Sequence, residues 1–172
     1  MPAPDVDAGR IVEVLQRHDV KFVVIGGFAV ELWDVAVQPT LDIDITPESS
    51  SANMKKLASA LNELDSEIRF GSETVAVPGG FTHENLIGVM VLNLLTSAGP
   101  LDISMEPAGT KGYNDLKRGQ VDIDYGSVSV PTASLADVAR SKEAAGRPKD
   151  LRTLPAILAH LDRLARHSRP DE

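Results

Sequence analysis

Two aspartates at alternate positions, Asp42 and Asp44, are the residues of this chain best suited to metal or catalytic chemistry. They lie in residues 41–45, LDIDI, which predict a short strand. Because side chains alternate across a strand, both carboxylates should leave one face and the apolar neighbours the other. Paired carboxylates repel each other unless a cation lies between them, and Mg²⁺ prefers such oxygen ligands. We therefore expect Asp42 and Asp44 to bind Mg²⁺.

A glycine pair, Gly26-Gly27, precedes these aspartates and predicts the other half of such a site. The apolar residues 22–25 predict a buried strand before the pair, and residues 28–34 predict a helix after it. Glycine lets a backbone approach a ligand closely, and a following helix directs free N–H groups at an anion. This order of elements predicts a cradle for a metal and a nucleotide.

Gly26-Gly27, followed by Thr40-Leu41-Asp42-Ile43-Asp44, resembles the polymerase-β-like nucleotidyltransferase superfamily, and more narrowly the AbiEii-type or MenT-type nucleotidyltransferase toxins. The resemblance implies an α/β (α+β) fold, with a mixed β-sheet core flanked by helices and a C-terminal helical pair. It implies transfer of a nucleoside monophosphate from a nucleoside triphosphate to an acceptor hydroxyl, with two Mg²⁺ ions. It also implies that Gly26, Gly27 and Thr40 bind the nucleotide.

A third carboxylate, Asp102, lies in a predicted hairpin. The apolar residues 87–95 and the segment 101–104 read as its strands, separated by the turn Ser97-Ala98-Gly99-Pro100. In the superfamily that the chain resembles, an acidic residue on a neighbouring strand completes the metal site. The resemblance therefore implies that Asp102 is a catalytic metal ligand together with Asp42 and Asp44.

The segment from Lys142 to Asp150 carries the remaining candidate site residues. Its pattern, Lys142 followed by Arg147-Pro148-Lys149-Asp150, is similar to the Lys, Arg-x-Lys-Asp pattern of the AbiEii-type toxins. The resemblance implies that Lys142 and Asp150 are catalytic. Lys142, Arg147 and Lys149 could bind phosphates or an RNA backbone. Asp150 could act as a base or hold Lys142 in place.

Three further motifs are interpreted as structural. A second Asp-x-Asp, Asp122 and Asp124, lies in a hairpin-like stretch where alternation is typical of a half-exposed strand. A second glycine pair, Gly79-Gly80, follows Pro78 and predicts a loop. His83-Glu84 is expected to be a solvated turn.

Two positions depart from the superfamily pattern. Gly27 stands where many members have a hydroxyl residue, and Val37-Gln38-Pro39 stand where relatives often have an arginine. The second difference removes a candidate phosphate contact. Whether the departure at Gln38 impairs catalysis stays open.

Helix signals occur at four further places. Asp5 or Asp7 could cap a first helix, Ser49-Ser50-Ser51 precede a helix through Leu64, and Ser134 caps one through Ala145. A last helix is predicted after Asp150, ending in a frayed basic tail, residues 163–169. Its expected apolar stripe comprises Leu151, Leu154, Ile157, Leu158, Leu161 and Leu164.

The whole chain has 172 residues, a length at which a single compact domain buries roughly 70% of its unfolded surface. We expect a catalytic core over residues 1–132 and a helical segment over 133–172 packed on it. Cysteine is absent, which excludes disulfides and thiolate zinc sites. The first ten residues lack the pattern of a secretory signal, so a cytoplasmic location is expected.

The acceptor is the open question. The toxin resemblance implies the 3′ end of a tRNA and a partner antitoxin. However, the net charge of −8 and the few aromatic residues are unusual for an RNA-binding protein. An aminoglycoside is therefore the main alternative acceptor, and a nucleotide-binding module without catalysis is a third. A basic rim around the site would favour RNA, and an acidic rim the aminoglycoside. The base of the nucleotide (ATP, CTP or GTP) and the oligomeric state stay open.

Overall fold

The computed structural model describes residues 5–169, which form one eight-stranded sheet covered by helices. The strands are β1 (Phe22–Ile25), β2 (Ile43–Pro47), β3 (Glu67–Phe70), β4 (Glu73–Val75), β5 (Val91–Thr96), β6 (Gly99–Ser104), β7 (Val121–Tyr125) and β8 (Val128–Thr132). The helices are α1 (Ala8–Arg17), α2 (Gly26–Leu32), α3 (Ser51–Glu63), α4 (His83–Leu86), α5 (Tyr113–Lys117), α6 (Leu135–Ala145) and α7 (Pro148–His167). The mixed sheet and its flanking helices confirm the expected fold class.

The sheet has the strand order β4-β3-β5-β6-β2-β1-β8-β7. Strand β2 pairs antiparallel with β1 and parallel with β6, and β1 pairs parallel with β8. The remaining neighbours are all antiparallel: β3–β4, β5–β6 and β7–β8 are hairpins, and β3 also pairs with β5. The candidate carboxylates therefore lie at the centre of the sheet, where backbone pairing on both sides holds them rigidly.

The core occupies both faces of the central strands. Ile43 and Ile45 of β2 are fully buried on one face, together with Leu101 of the neighbouring strand. The same alternation puts Asp44 on the opposite face. The buried face of α1 carries Ile11 and Leu15, which join this core. Burial of the apolar residues thus fixes the strand register, and the register sets the face on which the aspartates lie.

Helix caps agree with several sequence signals. Asp7 caps α1, Ser50 caps α3 and Ser134 caps α6, each accepting a hydrogen bond from a backbone N–H three residues later. Gly79 and Gly80 lie in a loop, as expected. His83 and Glu84 differ from the expected turn, because they begin the short helix α4.

The cap of α4 explains that difference. The Thr82 hydroxyl accepts from the N–H of Asn85, whose side chain accepts from the N–H of Thr82. This reciprocal pair stabilises a helical turn at His83. The five-residue helix α5 had no counterpart in the sequence reading.

The last helix corrects two expectations. The helix continues to His167 rather than fraying from Arg163. Its apolar residues also do not form one buried stripe, since Ile157 is fully buried while Leu151 and Leu158 are about half exposed.

The proposed boundary between core and helical segment stays a prediction, and its outer limits, residues 1–4 and 170–172, lie outside the described residues. The expectation about a secretory signal concerns partly the same residues. None of the helices in residues 5–169 combines the length and the apolar character that crossing a bilayer requires.

Candidate active site

Asp44 and Asp102 are direct neighbours on adjacent strands. The parallel register of β2 and β6 pairs these two residues, while β1 places Ile25 opposite Asp44 and β5 places Asn93 opposite Asp102. Residues in register share a face of the sheet, so one row crosses four strands. The two carboxylates are therefore brought together by strand pairing.

Asp42 lies just before β2, in a bend, rather than on the strand that was expected to include it. Leu41 is accordingly 78% exposed instead of facing the core with Ile43. The Thr40 hydroxyl holds this bend, lying 3.0 Å from both the carbonyl oxygen and Oδ1 of Asp42. Asp42 still joins the row, because one oxygen from each of Asp42, Asp44 and Asp102 lies within 4.8 Å of the others.

This cluster of acids is electrostatically strained without a cation. Burial, followed by the charges of Asp42 and Asp102, raises the pKa of Asp44 to about 7. Burial also raises the pKa of Asp102, although Arg69 acts against that effect. Three converging carboxylates fit a hard divalent cation such as Mg²⁺, whose charge would remove the repulsion.

Gly26 makes room for Asp44. Its φ of +68° lies in the left-handed region, and a Cβ atom there would stand only 2.5 Å from Oδ2 of Asp44. Gly27 is also closely approached, since its Cβ would lie 3.1 Å from the Thr40 hydroxyl. The glycine pair thus brings the backbone close to the side chains of Asp44 and Thr40. Helix α2 has only seven residues, so its dipole contributes little.

Two cations face the carboxylates from α6 and from the start of α7. Asp150 is fully buried, and its Oδ2 accepts a 2.6 Å hydrogen bond from Nε of Arg147. The Nζ of Lys142 lies 3.4 Å from Oδ1 of the same carboxylate. Burial alone would raise the pKa of Asp150, but Arg147 and Lys142 outweigh burial and hold that pKa below its usual range. The two ion pairs thus hold Arg147 and Lys142 against Asp150.

A cleft of about 320 Å³ joins these groups. Its wall includes Gly26, Asp44, Asp102, Lys142, Arg147 and Asp150. Apolar side chains such as Val91 and Val138 line other parts of it, together with the polar Asn93 and Ser104. Acidic and basic groups thus meet across a space that admits a small ligand.

The other predicted site residues lie around this cleft. Asp42 completes the acidic cluster. Gly27 lies next to the side chain of Thr40. Lys149 is exposed and outside the cleft wall, although its charge lowers the pKa of Asp44. Gln38 is exposed as well.

Sequence reasoning missed Arg69 and Asn93. Arg69, on β3, donates a 2.7 Å hydrogen bond to Oδ1 of Asp102. No sequence signal singled it out, because its position depends on the pairing of β3 with β5. Asn93 was accessible in principle, since counting back along the hairpin from Thr96 and Gly99 pairs it with Asp102.

The second Asp-x-Asp belongs to the outermost strand, β7. Asp122 and Asp124 are exposed there, in a hairpin with β8, and neither lines the cleft. This arrangement confirms their structural interpretation.

Solved nucleotidyltransferase structures share this fold. A Thermotoga maritima protein classed as a nucleotidyltransferase aligns with a TM-score of 0.56 at 19% identity, over 88% of this chain and 89% of that one. The lincosamide antibiotic adenylyltransferase LnuA, bound to lincomycin, aligns with a TM-score of 0.62 at 14% identity, over 91% and 99%. ANT(2″)-Ia in complex with adenylyl-2″-tobramycin aligns with a TM-score of 0.58 at 13% identity, over 89% and 86%. At these identities the likeness establishes the fold alone.

The sequence comparisons identify the family. No curated protein matches the chain in sequence. The profile of one family, described as nucleotidyltransferase of unknown function (DUF6036), matches residues 6–159, which are most of the chain. The chain therefore belongs to this family of nucleotidyltransferases and is an enzyme of that class.

Proposed function

We propose that the protein transfers a nucleoside monophosphate from a nucleoside triphosphate to the 3′-terminal hydroxyl of a tRNA. The observation that carries the reaction is the cleft in which Asp44 and Asp102 face Lys142 and Arg147. Such a cleft can hold a metal-bound triphosphate between opposite charges. The toxin role and the antitoxin partner implied by the resemblance stay predictions.

In the proposed reaction, the acceptor oxygen attacks the α-phosphorus and the bond to the β-phosphate oxygen breaks, so pyrophosphate leaves. Lys142 and Arg147 neutralise the charge that develops on the leaving pyrophosphate. The backbone of Gly26 and Gly27 lets the phosphates approach Asp44. Asp102, held by Arg69, would help hold the metal ion that activates the acceptor hydroxyl, whose proton passes to solvent.

Asp42, Asp44 and Asp102 are the residues that would hold Mg²⁺. When bound, the metal would supply charge to stabilise the attacking and leaving oxygens. The raised pKa of Asp44 supports this assignment, since burial and the repulsion of Asp42 and Asp102 disfavour its negative charge and a bound cation would offset both. We assign Asp150 to positioning Lys142 and Arg147, because its ion pairs occupy both of its oxygens.

A tRNA acceptor is favoured by the charge of the helix that begins at the cleft. The wall of the cleft carries four aspartates and two cations, Lys142 and Arg147, and by the criterion stated above this wall alone would favour a cationic drug. Helix α7, which starts beside Arg147, carries an excess of basic residues outside the cleft, and this excess favours a nucleic acid.

A small antibiotic is the second candidate acceptor. LnuA and ANT(2″)-Ia, which share the fold, are described with bound lincomycin and adenylyl-tobramycin. The cleft volume of about 320 Å³ also lies at the lower end of the range for small-molecule pockets, which begins near 300 Å³.

A label-transfer assay tests the proposal. The protein and its Asp44→Asn variant are incubated with Mg²⁺ and each α-labelled nucleoside triphosphate. The acceptors are total tRNA, lincomycin or tobramycin. We expect label on tRNA with the unmodified protein only. Label on an antibiotic but not on tRNA would replace the proposed acceptor. Equal transfer by Asp44→Asn would overturn the assignment of the site.

A further inference from the structure

The charge of this chain is strongly divided between its parts. Residues 147–169 carry six Lys and Arg and two Asp, whereas residues 1–146 carry eleven Lys and Arg and 21 Asp and Glu. The C-terminal segment thus has a net charge of +4 on a body of −10. Asp171 and Glu172 follow outside the described residues. A basic segment on an acidic protein is unusual enough to require an explanation.

The basic side chains of α7 are available to solvent. Lys149, Arg152, Arg163 and Arg166 are all exposed, while Ile157 is fully buried against the core. Arg152 and Arg163 are eleven positions apart, which is about three turns at 3.6 residues per turn, so their side chains lie above one another. We call the side of α7 formed by Lys149, Arg152, Arg163 and Arg166 the basic flank.

Two of the four side chains of the basic flank make polar contacts within the described residues, and two do not. Arg166 pairs with Asp162 at 2.7 Å, and Arg163 contacts the ring nitrogen Nδ1 of His160 at 3.1 Å. Within residues 5–169, Lys149 and Arg152 form no ion pair. Side chains of this kind on a helix bind phosphate groups at low cost, since they need not break internal contacts.

The basic flank begins beside the candidate active site. Arg147 and Asp150, at the start of α7, line the cleft, and the helix then runs for about 30 Å at 1.5 Å per residue. The flank lies roughly 100° to 160° around the helix from Asp150, so a polyanion whose end enters the cleft would reach the flank at Lys149 and wrap around α7.

We propose that the basic flank of α7 binds the phosphate backbone of an RNA whose 3′ end is the acceptor. The choice of RNA rests on the function proposed above. The flank supplies the sequence-independent part of RNA binding, and the cleft supplies the chemistry. This division explains how an acidic protein with few aromatic residues binds a nucleic acid.

The observations favour RNA over an anionic membrane. Helices that lie in a membrane surface place their apolar face in the lipid. In α7 part of that face is occupied, because Ile157 is buried in the core. The apolar surface left to lipid consists of partly exposed leucines such as Leu151 and Leu158, which is a small area for a helix that lies in a bilayer.

The test is a binding titration that does not depend on catalysis. Fluorescent tRNA with a blocked 3′ hydroxyl is titrated with the full chain at several salt concentrations, and binding is read by anisotropy. The test variant is Arg152→Gln/Arg163→Gln. The matched control is Lys55→Gln/Lys56→Gln, which removes the same charge from exposed positions on α3, a helix that contributes nothing to the cleft wall.

We expect the α7 variant to bind tRNA about ten-fold more weakly near 0.15 M salt. The slope of log affinity against log salt should fall by about 1.4 to 1.8, which corresponds to two lost phosphate contacts. The control should bind like the unmodified protein. If the α7 variant binds tRNA as tightly as the unmodified protein, the inference is overturned. It is also overturned if the α7 variant keeps its tRNA affinity but no longer binds vesicles containing phosphatidylglycerol.

The label-transfer assay separates this inference from the proposed function. If the unmodified protein labels tRNA and the α7 variant labels it equally well at limiting tRNA, the inference fails and the function stands. If no label reaches tRNA but binding still requires Arg152 and Arg163, the proposed reaction fails and the RNA surface stands.

Discussion

Arg69 and Asp102 form a direct ion pair at 2.7 Å, which ties an arginine of β3 to the third carboxylate of the site. One strand, β5, lies between the strand of Arg69 and the strand of Asp102, so the pair reaches from near the edge of the sheet to its centre. The guanidinium opposes the effect of burial on the pKa of Asp102. It thereby keeps a partly buried acid ready to bind metal.

Replacing that arginine should weaken metal binding. In Arg69→Gln the pKa of Asp102 rises further, and a proton then competes with the metal. We expect the half-saturating Mg²⁺ concentration at pH 7 to rise about three- to ten-fold. Mn²⁺ binding, followed by electron paramagnetic resonance, should weaken in parallel, and raising the pH should restore it. Arg69→Lys, which keeps the charge, should lie in between. Unchanged Mn²⁺ affinity in Arg69→Gln would contradict this role.

The acidic cluster should limit the stability of the metal-free protein. The pKa of Asp44 is about 7 in the folded chain, against an ordinary value of 3.8. Because this pKa is raised, the folded metal-free protein keeps its full stability below about pH 4 and loses part of that stability as the pH rises through 7.

Asp44→Asn should therefore be more stable than the unmodified protein at pH 8, by about 1 to 2 kcal/mol, and equally stable at pH 4. Urea unfolding without metal at both pH values measures the difference. Transfer activity should fall by at least about 100-fold, since a metal ligand is lost. This expectation would be contradicted if the gain in unfolding free energy of Asp44→Asn over the unmodified protein were smaller at pH 8 than at pH 4.

A methyl group at Gly26 should disturb the site directly. In Gly26→Ala the new Cβ would lie 2.5 Å from Oδ2 of Asp44, and the backbone also has a positive φ. We expect a loss of about 1 to 3 kcal/mol in unfolding free energy and nearly complete loss of transfer. Gly79→Ala is the matched control, because its φ is +75° and no atom lies within 4 Å of the added carbon. It should cost about 1 kcal/mol and leave activity unchanged. Equal activity in both variants would mean that the close approach has no catalytic importance.

Asp150 should be essential for stability as well as for the site. Asp150→Asn leaves Arg147 and Lys142 without their buried partner, and we expect a loss of about 2 to 4 kcal/mol at pH 7. Because the pKa of Asp150 is lowered, its carboxylate stabilises the folded protein above about pH 4, and this stabilisation is lost as the pH falls. The difference between the two proteins should therefore shrink in acid.

Asp162→Asn provides the comparison on the same helix. Its carboxylate pairs with Arg166 in solvent, so its loss should change stability by less than about 0.5 kcal/mol. Equal effects of the two substitutions, measured by urea unfolding, would show that burial of Asp150 is not what matters.

The central elements could be predicted because they depend on local patterns. Apolar residues mark β1, the glycine pair marks the start of α2, and alternation places Asp44 on its face of β2. The fold class and the neighbourhood of Asp102 followed from the resemblance. The errors near Asp42 and Leu41 arose at the end of the strand, where the Thr40 hydroxyl holds a bend that alternation alone does not predict.

Other features depend on pairing between distant segments. Arg69 reaches Asp102 only because β3 joins the edge of the β5–β6 hairpin, across 33 positions of the chain. Burial of α7 was overestimated for a similar reason. A run of leucines shows that a helix is partly apolar, but which of them are covered depends on the neighbouring helix α6.

The second Asp-x-Asp has a consequence for the behaviour of the protein in concentrated solution. Strand β7 lies at the margin of the sheet, where unpaired backbone N–H and C=O groups could pair with another molecule. Asp122 and Asp124 stand there exposed, flanked by the partly exposed Val121 and Tyr125. Their like charges repel a second copy approaching strand to strand. A motif that lies away from the cleft is thus expected to oppose strand-to-strand association of the chain.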